Sequence, residues 1–418
     1  MKLNFDNKFL KNSFYMYLLT IAKILMPFVT LPYLTRVLSV ETYGVVVYVK
    51  SILRYVQLVI DFGFLLSVTK EIVLAKKENN WKLISHIIST TLVTRAFLGL
   101  VSLIIFVFLI NVVPILTKYS LFSILMFISV FLNVFLVDFL FRGIEEMGIL
   151  TKRFLISKSI SAILIFLLIQ SDTDLILMAV IEILGSLLTV ILTYLKVRKL
   201  SIYFVMPQLR KCWLTLSNSF VVFLSGFSTT AFGIFITFLI GIYLKAEDIA
   251  FWSLAVQMLS GIQAFYSPII VSLYPAMVRN YNLKLIAKIL AIFIPLIFIG
   301  SSIIYFFGTE IITLIAGDKY SISAKILIYL IPVIIFSFPA MIFGWPILGA
   351  LGKNRDVTFT TVFAAIIQVS MLVVLIKLNL FDVWHIAISR GITEIALFTT
   401  RFMFFYNYKF GGVYLARR

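Results

Sequence analysis

Apolar residues in this chain do not alternate with polar ones at strand spacing. They run in blocks of about 20 residues, separated by short polar and often basic segments. A helix rising about 1.5 Å per residue needs roughly that length to cross about 30 Å of hydrocarbon. The blocks fall at about 14–35, 43–66, 87–110, 121–141, 154–169, 175–195, 220–243, 249–274, 285–307, 326–348, 357–376 and 383–405. The pattern predicts an all-α polytopic membrane protein with twelve transmembrane helices. The first residues, Met1 to Lys11, are polar and basic with no small-residue cleavage site, so the first apolar block is expected to be a retained span.

Composition agrees with this reading: 62% of the 418 residues are hydrophobic, 13% are charged, and mean hydropathy is +1.09. A typical soluble domain is about one-quarter charged. Water-soluble enzyme classes are therefore largely excluded. The net charge of +18 arises from 36 basic and 18 acidic residues. The basic residues crowd loops that the twelve-span model puts on one side: Lys70, Lys76, Lys77 and Lys82 in one, Lys196, Arg198, Lys199, Arg210 and Lys211 in the central one. Loops assigned to the other side carry Asp172, Asp174, Glu247, Asp248 and Asp382. Because basic residues in short loops stay cytoplasmic, both termini are expected to be cytoplasmic, and the surplus is explained by anionic lipid without a nucleic-acid role. The single cysteine, Cys212, permits no internal disulfide. With His86 and His385 far apart in sequence, no metal cluster is expected either.

The basic connector from about Lys196 to Lys211 separates six apolar blocks from six. One ungapped offset aligns Asn12-Ser13-Phe14 with Asn218-Ser219-Phe220, Leu38 with Leu244, Glu41 with Glu247, Gln57 with Gln263, and Gly143 with Gly349. Two six-helix lobes, 1–210 and 211–418, related by a parallel pseudo-two-fold repeat, are expected, with substrate between them.

A charged side chain facing lipid at the bilayer centre costs about 2.5 to 3.5 kcal/mol, so intramembrane charges are expected to face a partner, water or a cavity. Lys50, Arg54, Gln57 and Asp61 recur at helical spacing in the second span and form one polar stripe. Lys23 in span one and Arg95 in span three add further cations. Lys23, Lys50, Arg54, Gln57 and Arg95 are the candidate substrate contacts. Asp61, Asp138, Arg142, Glu182, Arg390 and Glu394 are candidates for ion coupling or gating. Asp138 and Arg142, and Arg390 and Glu394, are each four apart and read equally well as structural ion pairs along one helix. Arg401, near a helix end, is expected to snorkel. Pro27 and Pro32 in span one, and Pro332, Pro339 and Pro346 in span ten, are expected to bend or break those helices. No phosphate-cradling loop of the ATPase type occurs, and no cofactor is implied.

Several runs resemble the Wzx-type O-antigen flippases of the multidrug/oligosaccharidyl-lipid/polysaccharide exporter superfamily. They are Pro32-Tyr33-Leu34-Thr35-Arg36-Val37-Leu38, then Tyr43-Gly44, then Asp61-Phe62-Gly63-Phe64 with Ser67, Thr69, Lys70 and Glu71, and finally Phe141-Arg142-Gly143-Ile144-Glu145. Two positions depart from the family pattern: Ser39 replaces the usual glycine and Arg142 takes a place often held by glutamine. The resemblance implies a multi-pass protein of the bacterial inner membrane that is not an enzyme. It would flip undecaprenyl-pyrophosphate-linked oligosaccharide from the cytoplasmic to the periplasmic leaflet by alternating access, driven by an ion gradient. Implied partners are lipid-linked oligosaccharide and membrane lipid, with an O-antigen polymerase and a chain-length regulator as further candidates. Two alternatives stay open: a drug or cation antiporter of the same superfamily, which should favour intramembrane acids, and a membrane-embedded polysaccharide polymerase or acyltransferase. Enzymes of the latter kind usually show a long outer loop or a histidine-based centre, and neither is evident.

Overall fold

The computed structural model describes residues 7–200 and 202–410, without the side chains at 7–10, 225–234, 267 and 410. The expected cytoplasmic placement of the termini, and the side chain of Ser267 that the repeat matches to Asp61, lie outside the described residues. All regular structure among the described residues is helical. Residues up to Ile242 form one compact unit and residues from Tyr243 form another.

The first unit contains α1 (Asn7–Val37), α2 (Val40–Asp61), α3 (Phe64–Lys77), α4 (Trp81–Val112), α5 (Pro114–Lys118), α6 (Ser120–Phe131), α7 (Asp138–Gly143), α8 (Met147–Leu168), α9 (Leu175–Val197) and all but the last residue of α10 (Leu209–Tyr243). The second contains α11 (Ala246–Arg279), α12 (Leu283–Ala316), α13 (Ser321–Tyr329), α14 (Ile331–Ile342), α15 (Asn354–Lys377) and α16 (Val383–Phe410). Eight helical stretches among the described residues are long and apolar enough to cross a membrane. Twelve spans were expected. Helices α2, α8, α10 and α16 match the other four expected blocks but are not among these eight.

Local chemistry explains the helix boundaries. Ser39 caps α2 by accepting from the Thr42 N–H, and Asn80 caps α4 by accepting from the Leu83 N–H at 2.9 Å. The chain breaks between α2 and α3 at Phe62 (φ 38°) and Gly63 (φ 75°). A Cβ on Gly63 would lie 2.8 Å from the Phe223 backbone nitrogen, so both the left-handed φ and the close approach require glycine.

Proline did not act uniformly. Pro27 and Pro32 sit inside the continuous helix α1 without breaking it, whereas the tenth span is split into α13, α14 and a π-helical turn, Phe343–Gly349, with Gly344 at ψ −113°. The fourth span breaks with no proline at all: α6 runs into a 3-10 turn, Leu132–Phe135, and Leu136 is extended before α7 begins.

In the first unit α1 packs on α8, α6 and α8 on α9, α2 on α4, and α3 on α4 and α7. Phe64, Val68 and Ile72 of α3, Ile84 and Ile88 of α4, and Phe139, Leu140 and Phe141 of α7 belong to its buried core. Large apolar side chains such as Phe14, Ile104, Phe108 and Leu167 remain exposed, as a surface bathed in hydrocarbon requires. In the second unit α16 packs on α14 and α15, and α13 on α11 and α12.

Candidate functional site

Helix α2 is amphipathic inside an apolar protein. Tyr48, Val49, Ile52, Leu53, Val56 and Ile60 are buried, while Lys50, Arg54, Gln57 and Asp61 stay on the less covered face. Lys50 is about 15 Å from either end of the helix, at the depth where lipid would be least hospitable to charge. Its ammonium donates to Glu182 Oε1 of α9 at 2.8 Å, and Lys158 of α8 donates to Glu182 Oε2 at 3.1 Å. Three helices are thereby tied through one carboxylate. Arg54 follows Lys50 by one turn, is exposed, and makes no ion pair or hydrogen bond among the described residues. Lys23 of α1 is also exposed, and its Nζ lies 5.9 Å from the ring centroid of Phe154, one turn before Lys158 on α8. Among the described residues, cations therefore outnumber the one acid, Glu182, around this mid-helix cluster.

A second cluster lies further along α2. Arg95 of α4 is only 5% exposed and donates to Asp61 Oδ1 at 2.8 Å and to the Leu136 carbonyl. That carbonyl is accessible because the fourth span is extended there. Asn133, in the same break, donates to Gln57 Oε1 at 2.9 Å. Arg95 is thus committed to internal partners, unlike Arg54.

Asp138 does not pair with Arg142 four residues on. It bonds Arg153 of α8, whose other nitrogen donates to Thr193 Oγ1 at 2.6 Å. Helix α7 is only six residues long and begins at Asp138, so α8 rather than α7 itself presents the partner. The Nε of Arg142 is buried with no hydrogen-bond partner among the described residues. In the second unit Arg390 and Glu394 approach to 3.9 Å, with Glu394 7% exposed. Arg401 does not snorkel: it is buried and donates to the Ala340 carbonyl at 2.7 Å, Thr361 Oγ1 at 2.9 Å and Thr360 Oγ1 at 3.3 Å.

Sequence reasoning missed Lys158, Arg153 and Asn133. Lys158 had a legible signal, a lysine inside the apolar run 154–169, whereas the roles of Arg153 and Asn133 depend on a helix break that nothing in the local sequence marks. No group of three His, Cys, Asp or Glu among the described residues could hold a metal ion.

At one end of α2, Lys118 donates to Glu41 Oε1 at 2.6 Å and holds that carboxyl below its usual 4.5. A carboxyl that titrates lower when folded contributes its full stabilisation above 4.5 and loses it as pH falls through the lower folded value. Both side chains are largely solvated, so the effect is small. The Tm in detergent should fall on acidification below pH 4.5 more in the wild type than in Glu41→Gln.

Residues 9–281 match the family model described as "Polysaccharide biosynthesis protein". The chain is 26% identical over 398 residues, 93% of its length and 97% of the other, to a Shigella dysenteriae protein named "Putative O-antigen transporter". It is 22% identical over 407 residues, 96% of its length and 97% of the other, to a protein of the same name from Escherichia coli strain K12. Among solved structures, the lipid II flippase MurJ in an inward closed conformation superposes with TM-score 0.70 at 15% identity, over 94% of this chain and 87% of that one. An inward-facing multidrug MATE transporter of the MOP superfamily gives TM-score 0.64 at 12% identity, over 91% and 95%. The fold is therefore shared with flippases and multidrug transporters, and the named relatives are transporters rather than enzymes. With the family model matching well over half of its length, the chain belongs to the polysaccharide biosynthesis protein family.

Proposed function

We propose that the chain flips an undecaprenyl-pyrophosphate-linked O-antigen oligosaccharide from the cytoplasmic to the periplasmic leaflet of the bacterial inner membrane. Lys50, Arg54 and Lys158, flanked by Lys23 and Gln57, receive the diphosphate and the first sugar, and Arg95 positions Asp61 beside them. The observation that carries this reading is the excess of cations over acids at mid-helix depth on α2 and its neighbours, where Arg54 stands exposed with no ion pair or hydrogen bond among the described residues. Cations in a partly desolvated setting bind phosphate oxygens more strongly than neutral donors do. The names of the full-length relatives support the same cargo. The site would open alternately to the two sides of the membrane.

Deleting the gene should make the lipid-linked oligosaccharide accumulate on the cytoplasmic leaflet, read by leaflet-selective enzymatic labelling. Unchanged leaflet distribution with normal polysaccharide export would refute the proposal. Ion-gradient coupling belongs to the same reading, and Glu394 suits it best among the candidate acids. It is nearly buried and its nearest cation stands at 3.9 Å, whereas Asp61, Asp138 and Glu182 each hold a close pair. Glu394→Gln is expected to remove the response of transport in proteoliposomes to an imposed pH gradient; a full response in the variant would exclude Glu394 as the coupling group.

A further inference from the structure

Glu182 stands out because it is an acid at the centre of a site whose proposed cargo is itself anionic. Each of its oxygens takes one lysine, Oε1 from Lys50 and Oε2 from Lys158. Its side chain is 16% exposed, while those of Lys50 and Lys158 are 36% and 42% exposed. The carboxylate thus lies beneath two ammonium groups that keep an open flank. Two lysines held together at mid-membrane without an anion would repel each other in a poorly hydrated setting, and Glu182 removes that cost while the site is empty.

We propose that Glu182 is a resident counter-anion, which neutralises Lys50 and Lys158 between cargoes and yields them to the incoming diphosphate. The inference rests on the diphosphate reading of this site. An ammonium has three N–H donors, so each lysine can turn toward phosphate oxygens on its open side while its contact with Glu182 lengthens. The same competition runs backwards at release, because the carboxylate is always at hand to reclaim both lysines. A carrier needs binding favourable enough to load and weak enough to let go, and a competing carboxylate supplies that balance.

The test is binding of farnesyl diphosphate, a short-chain stand-in, to the purified full-length protein in nanodiscs, together with translocation in proteoliposomes. Glu182→Gln keeps the shape and removes the charge. It should bind the probe about tenfold more tightly, as expected for loss of one competing charge in a partly wet site, while turnover falls because release slows. Glu182→Asp keeps the charge but is one methylene shorter, so it reaches both ammoniums poorly and should bind with intermediate affinity. If the glutamine variant does not accumulate, the aspartate variant carries the test alone. Binding no tighter than wild type in these variants, with wild-type binding that Lys50→Met weakens, would overturn the counter-anion role and leave the diphosphate site standing. Absence of wild-type binding that depends on Lys50 would overturn both.

Discussion

Replacing Arg54 with alanine is expected to abolish polysaccharide display at the cell surface while leaving the protein folded and inserted. Arg54 is exposed on the polar face of α2 and makes no ion pair or hydrogen bond among the described residues, so its removal breaks no such bond there. What it removes is a planar, permanently charged fork suited to a diphosphate. Losing one charged partner of such a contact costs about 2 to 5 kcal/mol, which is roughly 30-fold or more in affinity. Immunoblotting of surface polysaccharide, with membrane abundance and Tm as controls, reads both halves of the expectation. Lysine at this position should restore part of the activity, because it keeps the charge and loses the fork. Normal display by the alanine variant would take Arg54 out of the site.

The opposite profile is expected at Asp61. Arg95 is 5% exposed and takes its only carboxylate contact among the described residues from Asp61, at 2.8 Å, so Asp61→Ala would strand a buried guanidinium. Breaking such a pair from one side costs about 3 to 5 kcal/mol, whereas replacing both partners by apolar residues of similar size is often close to neutral. Asp61→Ala should therefore lower the Tm by many degrees, and the double variant Asp61→Leu with Arg95→Met should recover most of the loss. A single variant as stable as wild type, or a double variant as unstable as the single, would show that this pair does not hold α2 to α4. Even with stability restored, the double variant should transport poorly, because Arg95 also holds the Leu136 carbonyl at the break in the fourth span.

The contrast between these residues shows what the sequence made legible. The stripe Lys50, Arg54, Gln57 and Asp61 could be seen from spacing alone, since a helix of known period dictates which side chains share a face. Its cross-helix partners could not. Lys50 meets Glu182 across 132 positions, and only packing of α2 near α9 decides that. Spacing misled at Asp138, where the four-residue interval to Arg142 suggested a pair along one helix. The chain is broken just before Asp138, and its carboxylate meets Arg153 instead. Arg401 misled in the same way: its place near a helix end suggested snorkelling. The carbonyl of Ala340, just before the irregular turn, and two threonine hydroxyls on α15 give it an internal home. Proline was an uneven guide, consistent with a membrane setting in which neighbouring groups can re-satisfy the backbone it disturbs.

The cationic face built from α2 and α8 is proposed to receive a diphosphate. The most direct test is translocation by purified protein in proteoliposomes of two matched glycolipids, one joined through a diphosphate and one through an uncharged linker. The account predicts that the wild type moves the diphosphate form much faster than the uncharged form, and that Arg54→Ala erases the difference. Equal rates for the two lipids, or a preference that survives loss of Arg54, would contradict it.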